Sequence, residues 1–351
     1  QVRASLRSHL DAVRKVVCVD DLVVSCSEDG LVKAWDLAAL HRADWQPGGG
    51  GDGEAVPVTA HATYRGHPSA VLALACDPLE RSIYSGGMDG CIRAWRLLDA
   101  SEVDPFDATP AGVRPLSCRR RLHEHQDAVR DLCLDPRRGL LASASADGTV
   151  RLWRGGLAEA NVTSKTVLTV QSQDEYGFNA PTGVAWVPHA GAAGGMLLAG
   201  LSSGACLLVD AERATVLQSM ADRVVAAGAV LSVACHAGGA LAACGHEGGS
   251  ARVFCPSTGE TALALWRHGG PVASVAFGTG QGHEVTIGCN DGSARIFDLR
   301  KGDQPLQVVS LHQCKYSEGC LCVSYSDAGW LATAGADASM AVLARRRARP
   351  A

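Results

Sequence analysis

The sequence carries no basic surplus and no long hydrophobic run. Its formal net charge is −4 over 351 residues, whereas a general nucleic-acid-binding protein normally has an excess of Lys and Arg. The longest apolar stretch, residues 224–235, is too short and too rich in small residues to cross a bilayer. We therefore expect no nucleic acid among its partners and no membrane span.

The chain also lacks a secretory signal and any Cys-x-x-Cys pair. Its 14 cysteines are scattered mostly among apolar, strand-like stretches. In a secreted protein that number would favour a disulfide framework, but cysteine in such stretches behaves as a small buried hydrophobe. We expect reduced thiols and a cytoplasmic location. Because the chain begins with Gln1 rather than Met, we also expect further sequence upstream.

Motifs that bind phosphate groups are missing as well. There is no G-x-x-x-x-G-K-[ST], and the glycines between residues 278 and 282 lack the G-x-G-x-x-G spacing. Residues 200–204 match the G-x-S-x-G nucleophile motif, but they fall on a predicted β-hairpin turn instead of a strand–turn–helix. His123 and His125 could stand on one side of a strand, yet no third metal ligand is evident. The sequence predicts no enzyme activity, no cofactor and no metal.

What the sequence does contain is a repeat. The stretch S-E-D-G-L-V-K-A-W-D at 27–36 recurs at 87–96, 145–154 and 289–298, and in eroded form at 335–343. Each copy has an Asp-Gly or Asp-Ala pair that is followed by alternating apolar and polar residues. This pattern predicts a tight hairpin that enters a half-buried β-strand.

Weaker copies bring the number of repeats to seven. Aligned on the turn, the repeats lie at positions 29, 89, 147, 203, 248, 291 and 337. The last three spacings, 45, 43 and 46 residues, suit the period of a four-stranded propeller blade. The first three spacings are longer and contain insertions that we expect to be rim loops, at 41–53, 101–114 and 159–178.

These repeats predict an all-β fold, a single seven-bladed β-propeller over residues 1–351. The expected blades cover approximately 9–40, 64–99, 118–155, 166–212, 223–258, 263–301 and 306–344. The last repeat ends after its third strand, so residues 2–8 are expected to supply the outer strand of the seventh blade. Closure by the two chain ends would remove exposed strand edges.

Four repeats carry further polar residues at fixed distances from the turn. A Ser or Thr lies four residues before the Asp, a Trp six after it in three copies, and a His 20–25 before it. The four sets are His9, Ser25, Asp29 and Trp35; His67, Ser85, Asp89 and Trp95; His125, Ser143, Asp147 and Trp153; and His312, Thr333 and Asp337. Such a set can satisfy the donors and acceptors of a buried turn in series. Its recurrence, with a Trp beside the Ser, argues against a hydrolase triad, which occurs once per active site.

The fourth to sixth repeats have lost much of this set. The residues at the corresponding positions are Ala199, Ser203 and Val209 in the fourth, Gly248 and Phe254 in the fifth, and Ile287, Asp291 and Phe297 in the sixth. We expect the blades to tolerate these losses because neighbouring blades bury their shared apolar faces.

The recurring Trp, Ser or Thr, His and Asp resemble the hydrogen-bonded tetrad of WD-repeat (WD40) propellers. Features outside the repeats resemble the C-terminal propeller of the striatin family, among them the opening at 8–13, V-D-P-F-D at 103–107, A-P-T at 180–182 and H-E at 246–247. The resemblance runs through nearly all 351 residues and includes the insertions. The sequence departs from the family at the Ala/Gly-rich stretch 190–195 and in lacking an Asp after the H-E pair.

The resemblance implies a non-catalytic scaffold, a regulatory subunit that assembles phosphatase 2A with kinases. It implies that an upstream coiled coil, absent here, makes the main phosphatase contact and any oligomer, while the propeller recruits Mob-type and kinase partners. The alternative is a WD-repeat substrate receptor of a cullin-4 ubiquitin ligase, or another WD40 adaptor, because 297–300 resembles a W-D-x-R docking box. The simpler interpretation of that box is a strand end with a solvated Arg300. The basic run 345–349 is either a localisation signal or a frayed end.

Strand alternation predicts where partners bind. The inner strands of the first, second, third and sixth blades begin with Ala-Val-Arg, Ala-Val-Leu, Ala-Val-Arg and, at 271–273, Pro-Val-Ala, just after the His loops. The residues that flank each Val should lie together near the mouth of the central channel. Arg14, Leu72 and Arg130 are therefore the predicted partner contacts, because Arg is a favoured anchor at interface centres. The alternative for Arg14 and Arg130 is that both are solvated rim charges.

Overall fold

The computed structural model consists of β-strands grouped into seven sheets. It describes residues 2–37, 56–99, 118–154, 164–169, 179–188, 195–220, 228–265, 268–279 and 283–344. The predicted insertions 41–53 and 101–114, most of 190–195 and the basic run 345–349 lie outside the described residues. Among the described residues, no helix has the length and apolarity needed to cross a bilayer.

The first four sheets have four strands each, and the central strand is given first. They are β2 (Val13–Val19), β3 (Leu22–Ser27), β4 (Leu31–Asp36) and β6 (Ala60–Arg65); β7 (Val71–Asp77), β8 (Ser82–Gly87), β9 (Ile92–Arg96) and β10 (Arg120–Leu122); β11 (Val129–Asp135), β12 (Leu140–Ser145), β13 (Thr149–Arg154) and β14 (Ser164–Thr169); and β15 (Pro181–Val187), β16 (Met196–Leu201), β17 (Cys206–Asp210) and β18 (Thr215–Met220).

The last three sheets complete the ring. They are β19 (Val230–Cys235), β20 (Ala242–His246), β21 (Ala251–Phe254) and β22 (Thr261–Leu265); β23 (Val272–Phe277), β24 (Glu284–Cys289), β25 (Ser293–Asp298) and β26 (Pro305–Ser310); and β27 (Cys320–Tyr325), β28 (Trp330–Gly335), β29 (Ser339–Ala344), β1 (Val2–Arg7) and β5 (Val56–Val58). The central strands contact one another in chain order, and β27 also contacts β2. This closed ring of sheets confirms the predicted seven-bladed propeller.

The ring is joined by the two ends of the described chain. Strand β1 pairs antiparallel with β29, with Leu6 opposite Met340 and Arg7 opposite Ser339. Ala4 and Leu6 of β1 are completely buried between the seventh and first blades. The seventh sheet has one strand more than expected, because β5 pairs in parallel with the other edge of β1.

The third insertion contains a strand, so its prediction as a loop was wrong in part. Residues 164–169 form β14 and pair with β13 in the third sheet, with Thr149 opposite Thr169. The predicted fourth blade began at 166 and therefore included part of this strand. In each of the first six sheets, the outermost strand comes from the segment that directly precedes the central strand of the next sheet. The boundaries of a sheet therefore differ from those of a sequence repeat.

The turn in each blade needs a backbone conformation that favours glycine. Residues directly after the seven turn positions have positive φ angles, for example +83° at Gly148. In the seventh blade this place is occupied by Ala338, at φ +61°, where a Cβ atom makes the left-handed conformation unfavourable. The Asp-Gly pairs in the sequence are therefore explained by the geometry of the turns.

The core consists of clusters between neighbouring blades. Seven such clusters join the first blade to the second, and so on round to the seventh and first. Trp35 and Trp95, each at most 1% exposed, lie in two of them. Because each cluster has contributions from two sheets, no blade buries its apolar faces alone.

Candidate functional site

The first and third blades contain complete hydrogen-bonded tetrads. In the third, His125 Nδ1 lies 2.8 Å from Asp147 Oδ2, and His125 Nε2 lies 2.7 Å from Ser143 Oγ. The indole N–H of Trp153 donates to the same Ser143 Oγ at 2.9 Å. Because Asp147 only accepts, Nδ1 carries the imidazole proton and Nε2 accepts from the serine hydroxyl. The first blade has the same arrangement, with His9 at 2.8 Å from Asp29 and 2.9 Å from Ser25, and Trp35 donating to Ser25.

The seventh blade has the same chain without its tryptophan. His312 Nδ1 lies 3.1 Å from Asp337 Oδ1, and His312 Nε2 lies 2.9 Å from Thr333 Oγ1. Leu343 occupies the place of the indole and is buried. Burial opposes the negative charge of Asp337, but hydrogen bonds from His312 and Ser339 outweigh it and lower the pKa of this carboxyl.

The second blade differs because an arginine enters the tetrad. Arg93 Nη1 lies 2.7 Å from His67 Nδ1 and 2.8 Å from Asp89 Oδ2, whereas His67 Nδ1 is 3.5 Å from Asp89. A guanidinium can only donate, so His67 Nδ1 accepts and the proton lies on Nε2, which faces Ser85 Oγ at 2.8 Å. Burial and the nearby charge of Arg93 lower the pKa of His67 to about 4.

The sixth blade contains a histidine, His268, that the repeat pattern did not predict. His268 Nδ1 accepts from Arg295 Nη1 at 3.0 Å, and its ring packs edge-on against Phe297. Ile287 stands where a serine would be, so His268 Nε2 is buried with no hydrogen-bond partner among the described residues. Burial and Arg295 lower the pKa of His268 to about 4. Its position 23 residues before Asp291 was the available signal.

In the fourth blade an asparagine takes the role of the histidine. Asn179 Oδ1 accepts from the backbone N–H of Ser203 at 3.2 Å and lies 3.3 Å from Ser202 Oγ. In the fifth blade, Cys244 occupies the serine position, and its Sγ lies 3.4 Å from His246 Nε2. The eroded repeats therefore keep a polar contact near the turn with different residue types.

The tetrads are unsuited to nucleophilic catalysis. Ser25, Ser85 and Ser143 are completely buried, and each accepts a hydrogen bond from an indole. A nucleophilic hydroxyl must be accessible and activated. In the G-x-S-x-G stretch, Ser202 lies beside Asn179 on a hairpin turn. Within the described ranges, no group of three His, Cys, Asp or Glu side chains is arranged to hold a metal ion.

Every central strand has a β-bulge just after its first residue. In the third blade, for example, Val129 pairs with Ser145 and Asp131 pairs with Ala144, which leaves Arg130 without a partner on β12. A bulge bends the strand and redirects the side chain of the extra residue. The seven extra residues, hereafter the mouth ring, are Arg14, Leu72, Arg130, Thr182, Leu231, Ala273 and Leu321.

The mouth ring surrounds a single cavity at one end of the central channel. All seven of its residues line this cavity, whose volume is about 500 Å³. In each blade the residue before the turn position donates its backbone N–H to the carbonyl oxygen of the residue that precedes the central strand, as Ala146 does to Ala128. The cavity therefore lies on the face of the propeller that carries the turns. Arg14, Leu72 and Arg130 therefore lie around the same opening, together with Leu231 and Leu321.

Three charged pairs, two of them made by Arg14, fix part of this opening. Arg14 donates to Glu28 at 2.7 Å and to Glu318 at 3.0 Å, which joins the first and seventh blades. Lys15 Nζ lies 2.7 Å from Asp131 Oδ1, which joins the first and third blades across the channel. Burial opposes the charge of Lys15, but attraction to Asp131 outweighs it and raises the pKa of Lys15.

Arg130 contrasts with Arg14. Its side chain is exposed, and no ion pair or hydrogen bond of its guanidinium occurs in the part of the chain that the structure describes. Arg14, by comparison, has a side chain only 27% exposed and two carboxylate partners. The two arginines of the ring are therefore chemically different, which their identical Ala-Val-Arg contexts did not indicate.

Arg300, which the alternative ligase function would use for docking, is exposed but paired. Its side chain is 60% exposed, while Nε and Nη2 donate to the two oxygens of Asp298 at 2.9 and 2.8 Å. The pair lies where β25 ends and the next turn begins. The bidentate contact makes Arg300 a local cap on the strand end.

Comparisons with known proteins agree with this architecture. The family model described as "WD domain, G-beta repeat" matches residues 1–36, 59–96 and 116–154. The chain is 29% identical to human striatin-4 over 95% of its length and 27% identical to mouse striatin-3 over 95%, and it is 26% identical to the striatin homolog of Dictyostelium discoideum over 97%. These matches cover 42%, 40% and 40% of the relatives, so the chain spans about two fifths of their length.

A solved structure shows the same fold. The WD40 β-propeller domain of Doa1 superposes with a TM-score of 0.73 at 18% identity, over 99% of this chain and 97% of that one. At this identity the likeness concerns the fold alone. These findings show a β-propeller fold in which three stretches match the WD-domain model and whose sequence is similar to the striatins.

Proposed function

We propose that this propeller is a non-catalytic, cytoplasmic interaction domain that takes protein partners at its mouth ring. The observation that carries the proposal is the series of seven bulges, which direct one side chain from every blade into a single open cavity. The serines and histidines of the Ser-His-Asp sets are buried, and their side chains are engaged in internal hydrogen bonds. Surface chemistry in this molecule therefore favours binding over catalysis.

We further propose that the domain is part of a regulatory subunit that assembles phosphatase 2A with kinase and Mob-type components. The similarity to striatins along 95–97% of the chain supports this role. Contact with the phosphatase is expected mainly from sequence outside the propeller, and the propeller is expected to recruit the other components. The mouth ring is the surface that would do so.

The test is an affinity purification of the full-length protein from cells of its source. The eluate is assayed for okadaic-acid-sensitive Ser/Thr phosphatase activity and analysed by mass spectrometry. We expect phosphatase 2A subunits and at least one kinase to co-purify. An Arg130→Glu, Leu231→Glu double variant should keep the phosphatase but lose the kinase or Mob-type component.

The same experiment tests the ligase alternative. The exposed guanidinium of Arg300 is the feature that favours it. Recovery of a cullin-4 adaptor instead of the phosphatase, abolished by Arg300→Glu, would replace the proposed function. Purification of the phosphatase in equal amount from wild type and Arg300→Glu would exclude a role for this residue in assembly.

A further inference from the structure

We propose that the mouth ring binds an extended segment of a partner protein that carries an acidic residue close to a large apolar residue. This inference rests on the proposed function, because it names the chemistry of the partner that the same surface would take. It follows from the charges, the apolar residues and one unusual turn around the opening.

One cation of the cavity that has no carboxylate partner among the described residues favours an acidic ligand. Three cations line it, namely Arg14, Lys15 and Arg130, together with the anions Asp131 and Glu318. Arg14 is bound to Glu318, and Lys15 is bound to Asp131. Arg130 is then the one lining cation whose charge is not matched by a described carboxylate. A carboxylate from a partner would meet a donor that loses no internal bond on binding.

The apolar part of the opening lies on the other blades. Leu231, Ala273 and Leu321 come from the fifth, sixth and seventh blades, and Leu72 stands between the two arginines. Leu231 and Leu72 are partly exposed, so an apolar side chain could bury further surface against them. The ring thus offers one cationic position and an apolar arc within one cavity.

An exposed aromatic residue is held beside the ring by a strained turn. Lys315 and Glu318 exchange backbone hydrogen bonds of 2.8 and 3.0 Å around Tyr316 and Ser317. Both central residues have positive φ, +54° and +66°, although neither is glycine. Strain of this kind persists where the surrounding structure enforces it and is concentrated at functional sites. The turn exposes 89% of Tyr316.

The turn is continuous with both the ring and a second exposed apolar residue. Glu318 of the turn binds Arg14 of the ring. Lys315 of the turn lies 3.3 Å from Asp11, next to Leu10, which is 86% exposed. Leu10 and Tyr316 therefore extend the apolar arc outward over the seventh and first blades. A segment that crosses the opening can place an apolar residue here and its acidic residue at Arg130.

The probe is a phage library of random 12-residue peptides, selected on the purified propeller. We expect the enriched peptides to share Asp or Glu and a large apolar residue. The most enriched peptide is then synthesised and titrated by fluorescence polarisation. Its affinity should fall at least tenfold for Arg130→Glu and for Leu231→Glu, at least threefold for Tyr316→Ser, and less than twofold for Arg213→Glu, an exposed arginine outside the ring.

A charge reversal makes the test specific. The peptide with its acidic residue changed to Lys should bind Arg130→Glu at least fivefold more tightly than it binds the wild type. All variants must first show the wild-type melting temperature. Enrichment of basic peptides, absence of enrichment, or equal binding to Arg130→Glu would overturn the inference.

Failure here is distinguishable from failure of the proposed function. If the full-length protein recovers the phosphatase and kinase while the peptide selection fails, the acidic-segment inference is wrong and the scaffold role stands. If acidic peptides bind as described but neither enzyme co-purifies, the inference stands and the proposed assembly is wrong.

Discussion

The seven blades fall into two groups. They differ in the hydrogen bonds within the blade and in the residue that faces the next blade. The first, third and seventh blades have a direct hydrogen bond from histidine to aspartate. The second, fourth, fifth and sixth do not. Three residues before the turn position, the first group has Cys26, Ala144 and Ala334, and the second has Gly86, Gly200, Gly245 and Gly288.

The glycines allow the next blade to approach more closely. A Cβ atom at Gly86 would lie 2.5 Å from Val129 Cγ1, and one at Gly245 would lie 2.5 Å from Val272 Cγ1. Both distances are far below van der Waals contact, so the valine of the following central strand occupies the space that a side chain would need. In these four blades the glycine therefore leaves room for the following central strand, which packs where a side chain would lie.

The largest loss of stability is expected for a substitution in β1, which closes the seventh blade and thus belongs to the first group. Leu6 is completely buried in β1, so Leu6→Ala should lower the free energy of unfolding by about 2–5 kcal/mol. Val216 is about half exposed on the outer strand of the fourth blade, and Val216→Ala should cost no more than about 0.5 kcal/mol. Urea denaturation measures both. Equal losses would show that β1 does not close the ring.

A second comparison tests the tetrad itself. Asp147 accepts from His125, from the backbone of Gln126 and from Thr149. Asp147→Ala leaves these donors without their acceptor and should cost about 1–3 kcal/mol. Ser203→Ala, at the same position of the fourth blade, should cost no more than about 0.5 kcal/mol because its side chain is exposed. Matched denaturation curves for the two variants would mean that the tetrad contributes nothing.

The close approach of the second group gives a third prediction. Gly245→Ala should destabilise the protein by about 1–3 kcal/mol, because Val272 would have to move. In an exposed strand the same change would be neutral or favourable, since glycine is a poor strand residue. The substitution Val272→Ala, combined with Gly245→Ala, removes the methyl group that the new Cβ atom would meet and should recover part of the lost stability. A thermal melt of Gly245→Ala indistinguishable from wild type would contradict the packing argument.

The smallest effect concerns pH. The pKa values of His67 and His268 in the folded protein are about 4, below the usual 6.5. The unfolded chain therefore binds more protons as pH falls from 6.5 towards 4, and stability should decrease over that window. At pH 5 His67 should account for about 1–2 kcal/mol of the decrease, and His268, whose charge solvent screens more strongly, for less. His67→Gln with His268→Gln should flatten the dependence of the urea midpoint on pH; an unchanged slope would mean that neither ring is held neutral.

How much the sequence could predict depended on the range of each interaction. The Asp-Gly turns and the spacing from His125 to Trp153 lie within one repeat, so they were readable from the chain. The pairing of Arg14 was not, because Glu318 is 304 residues away. Arg93 donates to His67 in place of a direct hydrogen bond between His67 and Asp89. The spacing of these residues along the chain does not reveal such a contact.

The bulges were only partly predictable. Strand alternation predicted Arg14, Leu72 and Arg130 at one opening, and the three residues line one cavity. The ring residues of the fourth, fifth and seventh blades were not predicted. Strand β14 was predicted only in part, because its segment lay in a long insertion. His268 of the sixth blade was not predicted, because Ile287 stands at the position of the serine and the repeat therefore lacks the complete set of polar residues.

The most direct test of the central claim separates binding from stability in one pair of variants. Partner recovery by the full-length protein and the melting temperature of the propeller are measured for Arg130→Glu with Leu231→Glu and for Asp147→Ala. We expect the ring variant to melt as wild type and lose the kinase or Mob-type partner proposed above, and the tetrad variant to melt earlier and keep that partner below its transition. Retention of all partners by the ring variant, with their loss in the folded tetrad variant, would contradict the mouth ring as the binding surface.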